Sequence, residues 1–296
     1  MISVLIPVYN YNIIALVKMI HEQLIDASID FEILCLDDAS NPLYSEENKT
    51  IESYSNTSYF ISKENNGRIK TRQLLAKKAQ FEWLLFLDAD VVPKTSTFIK
   101  EYIKTLPKYD AVFGGFAYKN EFPKPEYMLR WKYGKSQEEV DASIRNTKPY
   151  KVIISANFLI KADIFNSIHG TITQKGYGFD NYFGALLKQH KANIFHINNE
   201  VYHLGIEKSE DYLSKKEQAA NTLLQLVKDK KHLEHDNNLL ALFLNLKRFK
   251  LNYISAFIFK LFQSYMRKNL LSANPSIKVL QLYRITYLCY KDLKTD

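Results

Sequence analysis

Cysteine is scarce in this 296-residue sequence; Cys35 and Cys289 are the only two, far apart and set among apolar neighbours. That excludes a disulfide framework and any cysteine-spaced metal site, and it fits a reducing compartment. No run reaches the ~18 consecutive apolar residues that a membrane-crossing helix needs. The opening residues Met1-Ile2-Ser3-Val4-Leu5-Ile6-Pro7 lack the basic and apolar regions of an export signal and read as a strand. No internal repeat or low-complexity tract is present. Acid is missing from one region: between Leu239 and Lys291 there is no Asp or Glu.

What is present is apolar and basic. Hydrophobic residues make up 46%, enough for a sizeable core, and the net charge of +8 with a pI near 9.1 suits an anionic partner. Along the first 120 residues strand-like and helix-like patterns alternate. Ser3–Pro7, Phe31–Leu36, Ser58–Ile61, Trp83–Leu87 and Ala111–Tyr118 are apolar runs of strand length. Ile13–Ile25 and Ile69–Ala79 have helical spacing. This order predicts an α/β domain on a mostly parallel sheet, with ligands beyond the carboxyl ends of the strands. Ile153–Lys161 and Asn193–His203 read as further strands around a helix near Asn181–His190. From Gly205 onward the pattern is helical. In the acid-free tail nine basic residues alternate with aromatics such as Phe249, Tyr253, Phe257 and Phe262, the composition of an interfacial helix.

Polar groups follow the apolar runs where a ligand would sit. Tyr9-Asn10 follow the first and Asp37-Asp38-Ala39-Ser40 the second. Asn65-Asn66-Gly67-Arg68 follow the third and open a basic helix, whose first amides and dipole favour an anion. Asp88-Ala89-Asp90 follow the fourth. In extended chain alternate side chains point the same way, so both carboxylates can face one ligand. Two hard oxygen donors there suit Mg²⁺ or Mn²⁺ on a diphosphate. Each motif also has a plain alternative: a cap, a turn or a solvated loop. Asp180, in Tyr177-Gly178-Phe179-Asp180-Asn181, reads as a general base or as the N-cap of the next helix. His203, after Val201-Tyr202, reads as structural or as a ligand.

Together these segments resemble family 2 glycosyltransferases of the GT-A fold, in a bacterial glycan-synthesis branch. Ile2-Ser3-Val4-Leu5-Ile6-Pro7-Val8-Tyr9-Asn10 resembles their first strand and Leu36-Asp37-Asp38-Ala39-Ser40 their second-strand motif. Asn66-Gly67 with Arg72 looks like their asparagine–glycine–arginine segment, and Phe86-Leu87-Asp88-Ala89-Asp90 like their metal motif. Leu129-Arg130-Trp131, Ser155-Ala156-Asn157 and Val201-Tyr202-His203 continue the likeness over roughly residues 1–215.

The resemblance implies roles. Pro7, Tyr9, Asn10 and Asp37 or Asp38 hold the uridine end of a donor, with Asn66, Gly67, Arg68 and Arg72 near the nucleotide. Asp88 and Ala89 lie by the ribose, Asp90 and His203 bind Mn²⁺ or Mg²⁺, and Asp180 is the general base. Trp131 and Tyr177 stack on the acceptor. Phe179 stands where the family has Glu. The expected architecture is a GT-A domain over residues 1–215, a Rossmann-like, mostly parallel mixed sheet flanked by helices, with a helical basic extension over 216–296. The expected activity is inverting, metal-dependent transfer of a hexosyl or N-acetylhexosaminyl group from a UDP-sugar to a glycan or lipid-linked acceptor. A cytoplasmic setting is expected, peripheral on the inner face of the membrane, with the tail touching lipid or a second copy and no nucleic acid bound. A catalytically impaired glycan-binding protein of the same fold and a nucleotidyltransferase are the alternatives.

Overall fold

The computed structural model describes residues 1–172, 176–229 and 236–295. Its strands, in chain order, are β1 Ile2–Val8, β2 Phe31–Asp37, β3 Thr57–Ile61, β4 Trp83–Leu87, β5 Val91–Pro93, β6 Ala111–Phe113, β7 Phe116–Ala117, β8 Asn157–Lys161, β9 Ile194–His196 and β10 Val201–His203. Its helices begin with α1 Ile14–Asp26, α2 Pro42–Asn48, α3 Arg68–Lys78, α4 Phe98–Ile103, α5 Met128–Tyr133 and α6 Ala142–Asn146. They continue with α7 Ala162–His169, α8 Phe179–Gln189, α9 Ser209–Lys228, α10 Asn238–Arg248, α11 Asn252–Leu270 and α12 Ile277–Thr295.

Packing divides the chain into two compact units, neither continuous in sequence. The first comprises Met1–Ala117, Val140–Lys175 and Leu186–Gly205; the second comprises Tyr118–Glu139, Gly176–Ala185 and Ile206–Asp296. This differs from the expected cut at residue 215. Leu129 of α5 packs in one apolar cluster with Tyr212, Leu213, Phe243, Phe259 and Leu288, so the excursion between β7 and α6 belongs with the C-terminal helices. The apolar content of that region predicts burial, but the residues it packs against lie far along the chain.

In the first unit a seven-stranded sheet has the order β3-β2-β1-β4-β8-β6-β9. β1 is parallel to β2 and β4, and β2 is parallel to β3. β8 is antiparallel to β4 and β6, which makes the sheet mixed. The chain winds outward from β1 to β3, then returns to lay β4 on the other side of β1. That reversal is the topological switch where open α/β sheets leave a crevice. Every residue of β2 is buried, as expected of a strand covered on both faces. α1 buries Leu16, Val17, Ile20 and Leu24 in the same cluster as Val4, Ile33 and Leu85. Each such side chain contributes about 1.5–3 kcal/mol.

Two long expected strands are broken. Ala111–Tyr118 splits into β6 and β7, and Asn193–His203 into β9 and β10. The second halves leave the main sheet for a small one of order β5-β10-β7. Gly114 is the joint of the first break: a Cβ there would lie 2.5 Å from Asn157 Nδ2, Asn199 O and Tyr102 Oη. The Asn157 amide donates to the carbonyls of Gly115 and Asn199 and accepts from Tyr102.

The far end is closed by Arg145, whose guanidinium is fully buried and donates to the carbonyls of Val140, Phe113 and Ile197 and to His196 Nδ1. His196 Nε2 donates in turn to Pro149 O at 2.8 Å. Burial first, and then Arg145, hold this imidazole down to about 4 from 6.5, against the pull of the Pro149 carbonyl. Burial and the Arg72 charge hold His169 down to about 3. Both rings are therefore neutral in the fold, while the unfolded chain protonates them below about 6.5. Their contribution is complete above that pH and is lost as pH falls toward 4. Going from pH 7.5 to 5 should cost on the order of 4 kcal/mol from the two together. Urea midpoints at the two pH values test this; coincident midpoints would refute the neutral assignment.

Candidate functional site

The polar ends of β1, β2 and β4 meet the start of α3, and the sequence dictates how. Asp38 is buried just past β2. One of its carboxylate oxygens accepts from the Asn66 backbone N–H at 2.7 Å and the Asn66 amide at 3.2 Å. The other accepts from the Gly67 N–H at 2.7 Å. Its own N–H donates to Val8 O at 2.8 Å. One residue thus fixes the turn into α3 against the end of β1. Gly67 caps α3 with φ at +79°, a conformation that glycine adopts without cost.

Asp37, with Asp38 one of the two residues expected at the uridine end of a donor, is wholly buried. One oxygen accepts from the Ser40 N–H at 2.7 Å, and the other takes the Tyr59 hydroxyl. A carboxylate so enclosed acts as a brace for what surrounds it. Asn10 and Asn41 lock the neighbouring loops: Asn10 N–H donates to Ser40 Oγ, and Asn10 Oδ1 accepts from Asn41 N–H, each at 2.8 Å. Pro7 is half-buried, Tyr9 is 55% exposed and Arg68 is exposed at the start of α3. These three carry open surface where Asp37 and Asp38 do not.

Arg72, one turn into α3, is buried. Its Nη2 pairs with Asp88 Oδ1 and also donates to Ser155 O at 3.2 Å. The two expected donor-side residues are thus brought together by a charged hydrogen bond. Ala89 is half-buried against the core, in the turn between Asp88 and Asp90.

Asp90 and His203 also meet. β5 pairs antiparallel with β10, opposing Val91 to His203. Leu204 N–H then donates to Asp90 O at 2.8 Å. This places His203 Nε2 3.5 Å from Asp90 Oδ2, with the side chains 13% and 29% exposed. The Phe116 ring stands edge-on to the imidazole at 5.3 Å. Burial, and then the Asp90 charge, raise the Tyr11 hydroxyl pKa, so Tyr11 shares this corner. One carboxylate oxygen and one imidazole nitrogen, both partly open, form a mixed donor pair that Mn²⁺ or Mg²⁺ accepts when other oxygens complete the shell. Among the described residues no group of three or more protein ligands is assembled.

Gly205 makes the arrangement sterically feasible. A Cβ at that position would sit 2.1 Å from Asp90 Oδ2. The glycine two residues past His203 was in view in the sequence, but its need shows only once β5 and β10 are paired. Tyr11 and Tyr59 were missed for the same reason.

Asp180, Trp131 and Tyr177 belong to the second unit. Asp180 is the second residue of α8, half-buried, and is not the cap of that helix. Its charge acts on Lys216: burial, with Arg284 and Arg130, holds that ammonium down to about 8, while Glu138 and Asp180 pull it back up. Lys216 lies over the rings of Tyr133 and Tyr212 at 4.4 and 4.7 Å. Gly178, at φ +94°, brings the start of α8 against Ala219, and Phe179 is buried. The residue in place of the expected Glu is therefore a packing side chain. Trp131 is mostly buried, its indole N–H spent on Lys119 O at 2.9 Å. What remains of it lines an open hollow of about 560 Å³ with Lys132, Lys135, Ser136 and Asn274. Lys215 covers the Tyr177 ring at 5.0 Å.

Comparison with known proteins adds the following. A family model described as Glycosyl transferase family 2 matches residues 3–168. No curated protein matches. S. aureus TarS 1–349 crystallised with UDP-GlcNAc is 16% identical, with 99% of this chain and 91% of that chain covered at a TM-score of 0.53. The mannosyltransferase PcManGT from Pyrobaculum calidifontis, in complex with GDP-Man and Mn²⁺, is 12% identical over 100% and 87%, at 0.56. In a further alignment to TarS 1–349, 19% identical at a TM-score of 0.50, 75% of this chain spans 65% of that chain, less than two thirds of its length. At such identities the likeness is one of fold: the mixed sheet with its helical C-terminal region is the GT-A architecture.

The Asp38 clasp can be tested directly. Asp38→Ala removes the acceptor for two backbone amides and should cost about 1–3 kcal/mol. Hydrogen exchange at Asn66 and Gly67 should rise well beyond that of the β1 amides. Unchanged protection at those two amides would show that the clasp does not hold the turn.

Proposed function

The chain belongs to glycosyl transferase family 2, and on that premise we propose that it moves a sugar from a nucleotide-diphosphate donor to a hydroxyl of a glycan or lipid-linked acceptor. The observation that carries this reading is the pairing of Asp90 with His203 beside the Arg72–Asp88 pair, at the strand switch of the sheet. The donor is read as UDP-linked and the transferred group as hexosyl or N-acetylhexosaminyl. Tyr9, Pro7 and Arg68 offer the nucleotide open surface, and Asp37, Asp38, Asn10, Asn66 and Gly67 hold that surface in place. Asp88, with Arg72 on one oxygen, keeps its other oxygen for the ribose.

Asp90 and His203 would hold a divalent cation, whose Lewis acidity would offset the charge on the departing diphosphate. Inversion follows from single displacement. The acceptor oxygen bonds to the anomeric carbon as the bond to the diphosphate oxygen breaks on the opposite face, and the hydroxyl proton passes to Asp180. Such general-base help is worth about 10²–10⁴ in rate. Phe179 is buried in the second unit and supplies no acid to an acceptor, which is what a catalytically impaired glycan-binding protein of the same fold would share. Family membership disfavours the nucleotidyltransferase.

The partners proposed with this activity are the sugar nucleotide, the acceptor and, for the basic C-terminal helices, either a membrane surface or a second copy. No nucleic acid is among them, and the setting proposed is the cytoplasmic side.

Asp180→Asn should leave UDP affinity within about twofold while transfer falls by about 10²–10⁴. Transfer at the parent rate would remove Asp180 as base. Gly205→Ala pushes a methyl onto the Asp90 carboxylate and should weaken Mn²⁺-dependent UDP binding by about 10–100-fold in calorimetry. Equal affinity with and without Mn²⁺ in the parent chain would sink the metal assignment.

A further inference from the structure

α11 is apolar on two opposite faces, and the fold uses only one. Ala256, Phe259, Met266 and Leu270 point inward, in one cluster with Leu280, Tyr283 and Leu288 of α12. The Phe259 ring meets those of Tyr283 and Tyr287 edge-on at 5.3 and 5.5 Å. The opposite row is Tyr253, Ile254, Phe257, Leu261 and Tyr265, at steps of one, three and four that keep one helical face, and each is at least 57% exposed. The turn from α10 adds Phe249 and Leu251, 66% and 44% exposed. So much contiguous apolar surface marks a contact site.

Charge decides what covers it. Arg248 and Lys250 flank the turn, and Lys260 and Lys268 lie beside the row, all exposed. Two other cations of the region are already neutralised within the fold: Lys247 by Asp292, and Arg267 by Glu210 and Glu217. A two-fold copy would lay the patch on itself and bring Lys250, Lys260 and Lys268 close to the same lysines of the copy. No Asp or Glu lies between Leu239 and Lys291 to relieve that repulsion. Anionic headgroups relieve it, and the acyl boundary takes up the apolar row. No helix among the described residues is long and apolar enough to cross a membrane, so the contact is along the surface.

We propose that the outward face of α11, with the Phe249–Leu251 turn, is a docking surface for an anionic lipid bilayer. It stands apart from the transferase reading, since none of these residues belongs to the donor or acceptor machinery.

The test is flotation of the full chain with phosphatidylcholine vesicles, with and without 30 mol% (about a third) phosphatidylglycerol, with analytical ultracentrifugation of the free protein in parallel. Binding should require the anionic lipid and weaken with salt. Lys250→Glu/Lys260→Glu/Lys268→Glu should reduce it by about a hundredfold or more, at about fivefold for each lost charge. Phe257→Ser/Leu261→Ser should also release the protein from anionic vesicles, with the unfolding midpoint unchanged because both residues face outward. Failure to float with the anionic vesicles, or equal binding to both kinds, would overturn the proposal. So would a stable dimer that Leu261→Glu converts to monomer, which would assign the face to a second copy. UDP affinity, measured alongside, should be the same in all these variants; its loss in the parent chain would count against the transferase reading alone.

Discussion

The candidate donor site depends on one buried carboxylate. Asp38 spends both oxygens on the amides of Asn66 and Gly67 and its own N–H on Val8. The first strand, the second strand and the start of α3 are thereby set at fixed distances. Charged acceptors of backbone N–H groups are among the stronger hydrogen bonds in a protein, and here the acceptor is desolvated as well. Because α3 starts where Asp38 holds it, Arg72 reaches Asp88 from inside. The exposed groups Tyr9 and Arg68 hang from this frame.

The Asp90–His203 end is built on a different principle. Asp90 and His203 are separated by more than a hundred residues and meet because two three-residue strands pair across a small sheet. Their approach is permitted by the missing side chain at Gly205. One corner relies on an acceptor filled to capacity, the other on space left empty. The first resists change in charge, the second change in volume.

Much of this was legible in the sequence. The first four strands, α1 and α3 lie within a residue or so of where the apolar periodicity puts them, because each is a local pattern with one buried solution. Asp90 lies beside His203, and Arg72 pairs with Asp88. The protein partners of Asp37 and Asp38 were less legible, since an acid after a strand looks the same whichever amide or hydroxyl it accepts from. The breaks after Phe113 and His196 were hidden too: apolar runs continue through them, and only the three-way crowding at Gly114 shows why the chain must change sheets. The outward row of α11 was visible as composition, but which apolar residues were surplus to the core depends on where α12 packs.

The second unit draws on three separate stretches of chain, and its apolar cluster is supplied mostly from beyond residue 206. As the chain leaves the ribosome, the segments bearing Trp131 and Asp180 emerge well before the helices that bury their neighbours. Domains form as units once their parts are present, and unburied apolar surface is exposed to misassembly until then. The order of synthesis therefore leaves the proposed acceptor residues for last: the first unit has its whole sequence by Gly205, while the segment that carries Asp180 waits for α9 to α12.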